Sequence, residues 1–189
     1  MDLDSVLIGE DDVVPRARYT STEFATLEFE RLWARVWQAA CREEEIADVG
    51  DFCEYLIGDQ SILVVRSDPE TVAAFHNTCL HRGTRLAEGS GRFPQGCIRC
   101  RYHAWRYDLD GTLVEVVDRE EFDPIPSDVG LCGMRVDRWG GFVWICLDPD
   151  APPLKEYLDP LPTLLAPYHL DRLRLRTYCL LYTSPSPRD

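Results

Sequence analysis

The stretch Cys79–Trp105, CLHRGTRLAEGSGRFPQGCIRCRYHAW, limits what this chain can fold into more than any other part of it. Cys79-Leu80-His81 holds its two polar members one residue apart, and Cys100-Arg101-Tyr102-His103 holds its pair two apart, with eighteen residues between His81 and Cys100. Glycines at 83, 89, 91 and 96 and Pro94 break any regular element, so the whole stretch reads as loop beside strands. Two short loops, each offering one thiolate and one imidazole, can close over a metal centre as a pair of fingers. Gly83 and Gly96 permit the tight backbone this needs and leave amide groups free to point inward.

Two metals fit such a donor set. Zinc takes four ligands tetrahedrally, but structural zinc sites pair Cys with Cys and His with His at their own spacings. Here each loop is mixed, which suits a [2Fe–2S] group in which Cys79 and Cys100 hold one iron and His81 and His103 the other. Neutral imidazoles in place of two thiolates lower the negative charge and raise the reduction potential, giving a one-electron relay. Cys97 forms a CxxC with Cys100 but has no histidine three residues on; it reads as a thiol either buried or lying just behind the ligands, outside the ligand set. Zinc remains the alternative.

Composition narrows the partners. The chain of 189 residues is 45% hydrophobic and 11% aromatic, enough for a packed domain and part of a second. Its formal charge of −13 argues against nucleic acid or an anionic membrane surface, both of which need a basic face. It suits docking to a basic patch on another protein, or simply a solvated acidic surface. No cationic and apolar leader opens the sequence and no apolar run is long enough to span a membrane, so a cytoplasmic location is expected. The eight cysteines are not laid out as a disulfide framework.

Along the chain, Thr20–Cys41 reads as an amphipathic helix capped by Thr20 or Ser21. Short β-rich runs follow at 51–57 and 61–66 about the Gly58-Asp59-Gln60 turn, at 71–77, at 102–109 and 112–117 about Asp110-Gly111, and at 133–139 and 141–147 through Gly140. Strands punctuated by turns predict a mainly β fold (α+β overall), small antiparallel sheets preceded by a helix. The proline-rich stretch from Pro149 reads as a linker leaving that domain.

The segments NTCLHRGTRL and CRYHAWRYDLDGTL resemble the Rieske motif of the large (α) subunits of Rieske non-haem iron oxygenases, the aromatic-ring-hydroxylating type among them. The likeness extends from the helix at residue 20 to GGFVWICLDPDAPPLKEYL, over about residues 20–165. It departs in two places: Arg101 stands where the family usually has Pro, and one extra residue is expected near Phe93-Pro94-Gln95. The resemblance implies an arm and helix over 1–45, a Rieske [2Fe–2S] domain over 46–150, and a linker with the start of a catalytic domain over 151–178. It further implies electrons drawn from an NAD(P)H-dependent reductase or a ferredoxin and passed to a mononuclear Fe(II) in a following domain. That iron oxygenates an organic substrate with O₂, an aromatic ring being favoured and a quaternary amine left open. A trimer, with or without a β subunit, is the implied assembly. Arg82, Gly83 and Trp105 are expected beside the ligands, Trp105 and Tyr107 packing the loops.

No two-His-one-carboxylate set is visible in the sequence; His76 and His169, outside the motif, read as an ordinary strand residue and a surface residue. Residues 179–189, CLLYTSPSPRD, back-translate to a string resembling a transposon-based sequencing adapter read in frame, so the natural chain is expected to differ after Tyr178. An α-subunit piece without its catalytic iron is thus the expectation, with a free-standing Rieske ferredoxin as the competing reading and a zinc module as a third.

Overall fold

The computed structural model describes residues 14–122, 124–126 and 128–175, so the acidic start of the chain and the adapter-like tail lie outside the described residues. Helix α1 (Ala17–Thr20) leads into α2 (Thr22–Glu28), where Ser21 Oγ accepts the Phe24 N–H at 3.1 Å, the cap that the sequence suggests. The helix does not run on to Cys41. It unwinds through a wide turn at Phe29–Trp33, and Gln38–Arg42 is strand β1. Tertiary packing overrides local periodicity here. Trp37 is buried beside Cys146, Leu154 and Leu158, its indole N–H donating to Pro152 O at 2.8 Å, and Cys41 faces the core between sheets.

Three antiparallel sheets follow. The first, β1-β10-β9, joins β1 to β10 (Phe142–Cys146) and β9 (Arg135–Trp139). The second, β4-β3-β2-β5, contains β2 (Asp51–Ile57), β3 (Gln60–Asp68), β4 (Thr71–His76) and β5 (Ser90–Arg92). The third, β6-β7-β8, is built from three-residue strands: β6 (Cys97–Arg99), β7 (Arg106–Asp108) and β8 (Leu113–Glu115). Strands β5 and β6 lie inside the stretch read as loop throughout. They are too short for a period-two signal and exist because β2 and β7 offer edges to pair with.

Strand β3 divides the core. Ile62, Leu63, Val64 and Val65 are all fully buried. Alternation sends Leu63 and Val65 into the cluster that holds Cys79 and Cys100, and Ile62 and Val64 into the cluster against the first sheet. The β2–β3 turn requires Gly58 twice over: its φ is +58°, and a Cβ there would meet the Phe29 ring at 2.8 Å. That contact fixes the end of the N-terminal helix against the hairpin.

The proline-rich stretch does not leave the domain at once. Ala151, Leu154 and Leu158 are buried at helical spacing, forming α3 (Leu154–Tyr157), before α4 (Leu161–Leu165). The prolines stand at helix starts, where the missing N–H costs nothing. Among the described residues no helix is long and apolar enough to cross a membrane.

Candidate metal centre

Strand β4 delivers Asn77, Thr78 and Cys79 to the top of the second sheet, and the β6–β7 hairpin delivers Cys100–Trp105 opposite them. The first loop closes when Cys79 N–H donates to Thr84 O (2.8 Å) and Gly83 N–H to Cys79 O (2.9 Å). The second closes in the same way, Cys100 N–H donating to Trp105 O (2.9 Å) and Ala104 N–H to Cys100 O (3.1 Å). Gly83 (φ +71°) and Ala104 (φ +57°) occupy the same left-handed position. The Gly83 amide is therefore used within its own loop and does not point freely inward, contrary to the sequence expectation.

Cys79 (2% exposed) and Cys100 (3%) sit in the core cluster, close enough to interact, while His81 and His103 lie half-buried at its rim. The two imidazoles are neighbours, with ring centroids 4.4 Å apart. Trp105 stacks on His81 (5.1 Å, planes 8° apart), and Phe122 meets both rings edge-on. Tyr102 covers His103 at 3.8 Å. His81 Nδ1 is buried without a hydrogen-bond partner, as is Trp105 Nε1. Buried polar atoms are rarely left so, and an unpaired imidazole nitrogen beside a second imidazole and two thiols fits a metal-ligating role. Desolvation first, then His103 and Arg82, hold the His81 imidazole below its ordinary value, which keeps it neutral and able to ligate.

Tyr107, fully buried, braces the first loop. Its hydroxyl accepts the Leu80 N–H at 3.1 Å, leaving its own proton for Cys79 Sγ at 3.3 Å. Burial and then the adjacent thiol push that phenol upward, so it stays a neutral donor. Burial likewise raises the Cys79 thiol, against the opposing pull of the Tyr107 hydroxyl. Asn77, which the sequence reading left as a strand end, carries more: its amide donates to Ala87 O and Ser61 Oγ and accepts from Leu86 and Ala87 N–H. A lone amide ending an apolar strand just before the motif was the available signal. Phe122 had none.

The other expected residues fall as follows. Arg82 is exposed, and Gly83 has open space about it, so its role is conformational. Cys97 is half-buried rather than buried; alternation along β6 turns it to the opposite face from Ile98 and Cys100. His76 ends β4 and His169 is exposed in a turn, far apart in the sequence. Among the described residues no three His, Cys, Asp or Glu side chains converge on one point. The donors instead form a thiol pair within and an imidazole pair at the rim, which suits a two-iron group better than a single zinc ion.

Residues 36–127 match the family model described as the Rieske [2Fe-2S] domain. Among curated proteins, the glycine betaine monooxygenase oxygenase subunit of Chromohalobacter salexigens is 33% identical over 87% of this chain and 37% of its own length. A chloroplastic choline monooxygenase of Beta vulgaris is 34% identical over 78% and 33%. The carnitine monooxygenase oxygenase subunit of Escherichia coli is 33% identical over 78% and 40%. The chain thus spans between a third and two-fifths of these relatives. Among solved structures, the quaternary ammonium Rieske monooxygenase CntA in complex with L-carnitine superposes with a TM-score of 0.79 at 27% identity, covering 86% of this chain and 47% of that one. A naphthalene 1,2-dioxygenase with indole bound gives 0.76 at 27%, covering 86% and 37%.

Proposed function

We propose, from the premise that residues 36–127 are a Rieske [2Fe–2S] domain, that this chain is the electron-input part of a Rieske oxygenase subunit, with Cys79 and Cys100 on one iron and His81 and His103 on the other. The observation that carries the ligand set is the buried thiol pair beneath a pair of neighbouring imidazoles, one with an orphaned Nδ1. The bound group supplies a reversible one-electron couple. Around it, Tyr107 orients Cys79, Trp105 and Phe122 keep water off the His81 face, and Asn77 anchors the chain leaving the first loop.

The substrate reading moves with the relatives. Those at 32–36% identity are named for choline, glycine betaine and carnitine, which supports a quaternary ammonium compound over the aromatic ring favoured from the sequence. Oxidation would take place at a mononuclear iron in a part of the protein corresponding to the remainder of those relatives. A reductase or ferredoxin as donor, assembly into trimers and a cytoplasmic location complete the proposal; the plant relatives are chloroplastic.

Loading the chain anaerobically with iron and sulfide tests it. Two irons and two labile sulfides per chain, with the paramagnetic signature of a mixed His/Cys cluster on reduction, are expected, and Cys100→Ser should abolish both. A colourless, zinc-bound product, or His81→Ala and His103→Ala variants that keep an unchanged cluster spectrum, would overturn the ligand assignment.

A further inference from the structure

Among the described residues two buried side-chain polar atoms have no hydrogen-bond partner, His81 Nδ1 and Trp105 Nε1. They belong to rings that stack on each other, centroids 5.1 Å apart and planes within 8°. A buried indole N–H ordinarily finds an acceptor. Trp37, the other buried tryptophan among the described residues, donates to Pro152 O at 2.8 Å, and the half-buried Trp144 donates to Trp139 O at 3.1 Å. Trp105 is only 6% exposed and donates to nothing.

The two atoms differ in chemistry. An imidazole nitrogen can ligate a metal, so the ligand assignment already accounts for His81 Nδ1. An indole nitrogen is a donor only, with no lone pair to offer. It needs an acceptor, and the surrounding protein supplies none. The Cys79 sulfur is engaged by the Tyr107 hydroxyl at 3.3 Å, and neither Cys79 nor Cys100 accepts from Trp105. The ring is also fixed in place: the Trp105 carbonyl accepts the Cys100 N–H that closes the second loop, and Phe122 packs against the ring's other neighbours. Besides its irons, a [2Fe–2S] group brings two inorganic sulfides, and these are electron-rich acceptors.

We propose that the Trp105 indole N–H donates to a bridging sulfide of the bound group and holds its reduction potential up. The inference rests on the ligand set proposed above. Reduction adds one electron from the donor protein and leaves more negative charge on the sulfides, so a hydrogen-bond donor aimed at them favours the reduced state. The proton stays on the indole in both states. Packing alone has the opposite sign. A large ring that keeps water out disfavours the more highly charged, reduced group, so trimming a ring that merely packs should raise the potential.

The test is the midpoint potential of the cluster-loaded chain, followed by visible circular dichroism through a dye-mediated titration. Trp105→Phe keeps an aromatic ring beside His81 and removes the donor. At the native midpoint its reduced-to-oxidised ratio should fall about threefold or more, the weight of one hydrogen bond in an equilibrium. An unchanged or raised potential overturns the proposal and leaves packing as the role of the ring. A second measurement needs no variant. With tryptophan labelled by ¹⁵N at the indole, pulsed electron paramagnetic resonance of the reduced native chain should show a weak ¹⁵N coupling to the cluster. Its absence also overturns the proposal, since the N–H then faces elsewhere, the Phe122 ring at 5.3 Å being the nearest aromatic face besides His81. A chain that takes up no iron–sulfur group removes the ligand reading and this one with it. A chain that loads normally but shows neither the lowered potential nor the coupling removes the tryptophan's role alone.

Discussion

Set the loop at 79–84 beside the loop at 100–105. Both close through the same two backbone hydrogen bonds about a cysteine, and both place a left-handed residue four positions on. They differ in what holds them. The second joins β6 and β7, whose pairing of Arg99 with Arg106 clamps its base. The first leaves β4 and runs into irregular chain, with no strand after it to pair. Side chains take over there: Tyr107 reaches Leu80 and Cys79, and Asn77 ties down residues 86 and 87. One loop is held by its backbone, the other by two buried polar groups, so their sensitivities to substitution should lie in different places.

Removing Asn77 is the strongest way to break that comparison. Asn77→Ala leaves the buried Leu86 and Ala87 amides without their acceptor, and at about 1–3 kcal/mol for each unsatisfied group should destabilise the domain by several kcal/mol in denaturant titration. A loss under about 1 kcal/mol would mean that the first loop does not depend on this side chain. Gly83→Ala comes next. Nothing crowds the position, so the cost is the left-handed backbone alone, about 1–2 kcal/mol by the same measurement.

Tyr107→Phe should act on the first loop's sulfur. A hydrogen bond to a thiolate favours the reduced, more negative group, so its loss should lower the midpoint potential of the loaded chain by some tens of millivolts. A rise would contradict the proposed donor role. Ala104→Gly tests whether the two loops share a backbone. It should shift stability in the opposite direction to Gly83→Ala, a gain below about 1 kcal/mol because relieved strain is partly offset by a freer unfolded chain.

The smallest effect concerns pH. The Arg92 guanidinium hydrogen-bonds Asp51 and holds its carboxyl below the usual value. A depressed folded-state value contributes stability above the unfolded value, about 3.9, that is lost as pH falls through the folded one. The protection of the β5 amides, measured relative to their intrinsic exchange, should therefore fall under acid, and Arg92→Gln should remove that fall.

Much of this was legible beforehand. The hairpins about Gly58-Asp59, Asp110-Gly111 and Gly140 stand where their turn residues put them, because such turns are local chemistry. The loop pair announced itself through Cys and His spacing. What escaped depended on partners distant in sequence. Strand β1 was read as helix because nothing within Val36–Cys41 reports that β10 will pair with it. The half-burial of Cys97 escaped because β6 was not foreseen, and without a strand there is no alternation to turn it outward.

The pairing of β1 with β10 also has a consequence for how the domain comes into being. Gln38 lies opposite Ile145, roughly a hundred residues on, so the first sheet is a highly non-local contact whose loop-closure entropy must be met before it forms. On a ribosome adding about 5–20 residues per second, β1 emerges several seconds before its partner and must wait as an unpaired edge. Strands β2 to β4, with their short turns, can assemble meanwhile and bury Ile62 and Val64 only on the arrival of β10. Among the described strands the one that seals the fold is thus the last to be made, so completion of the hydrophobic core cannot precede its synthesis.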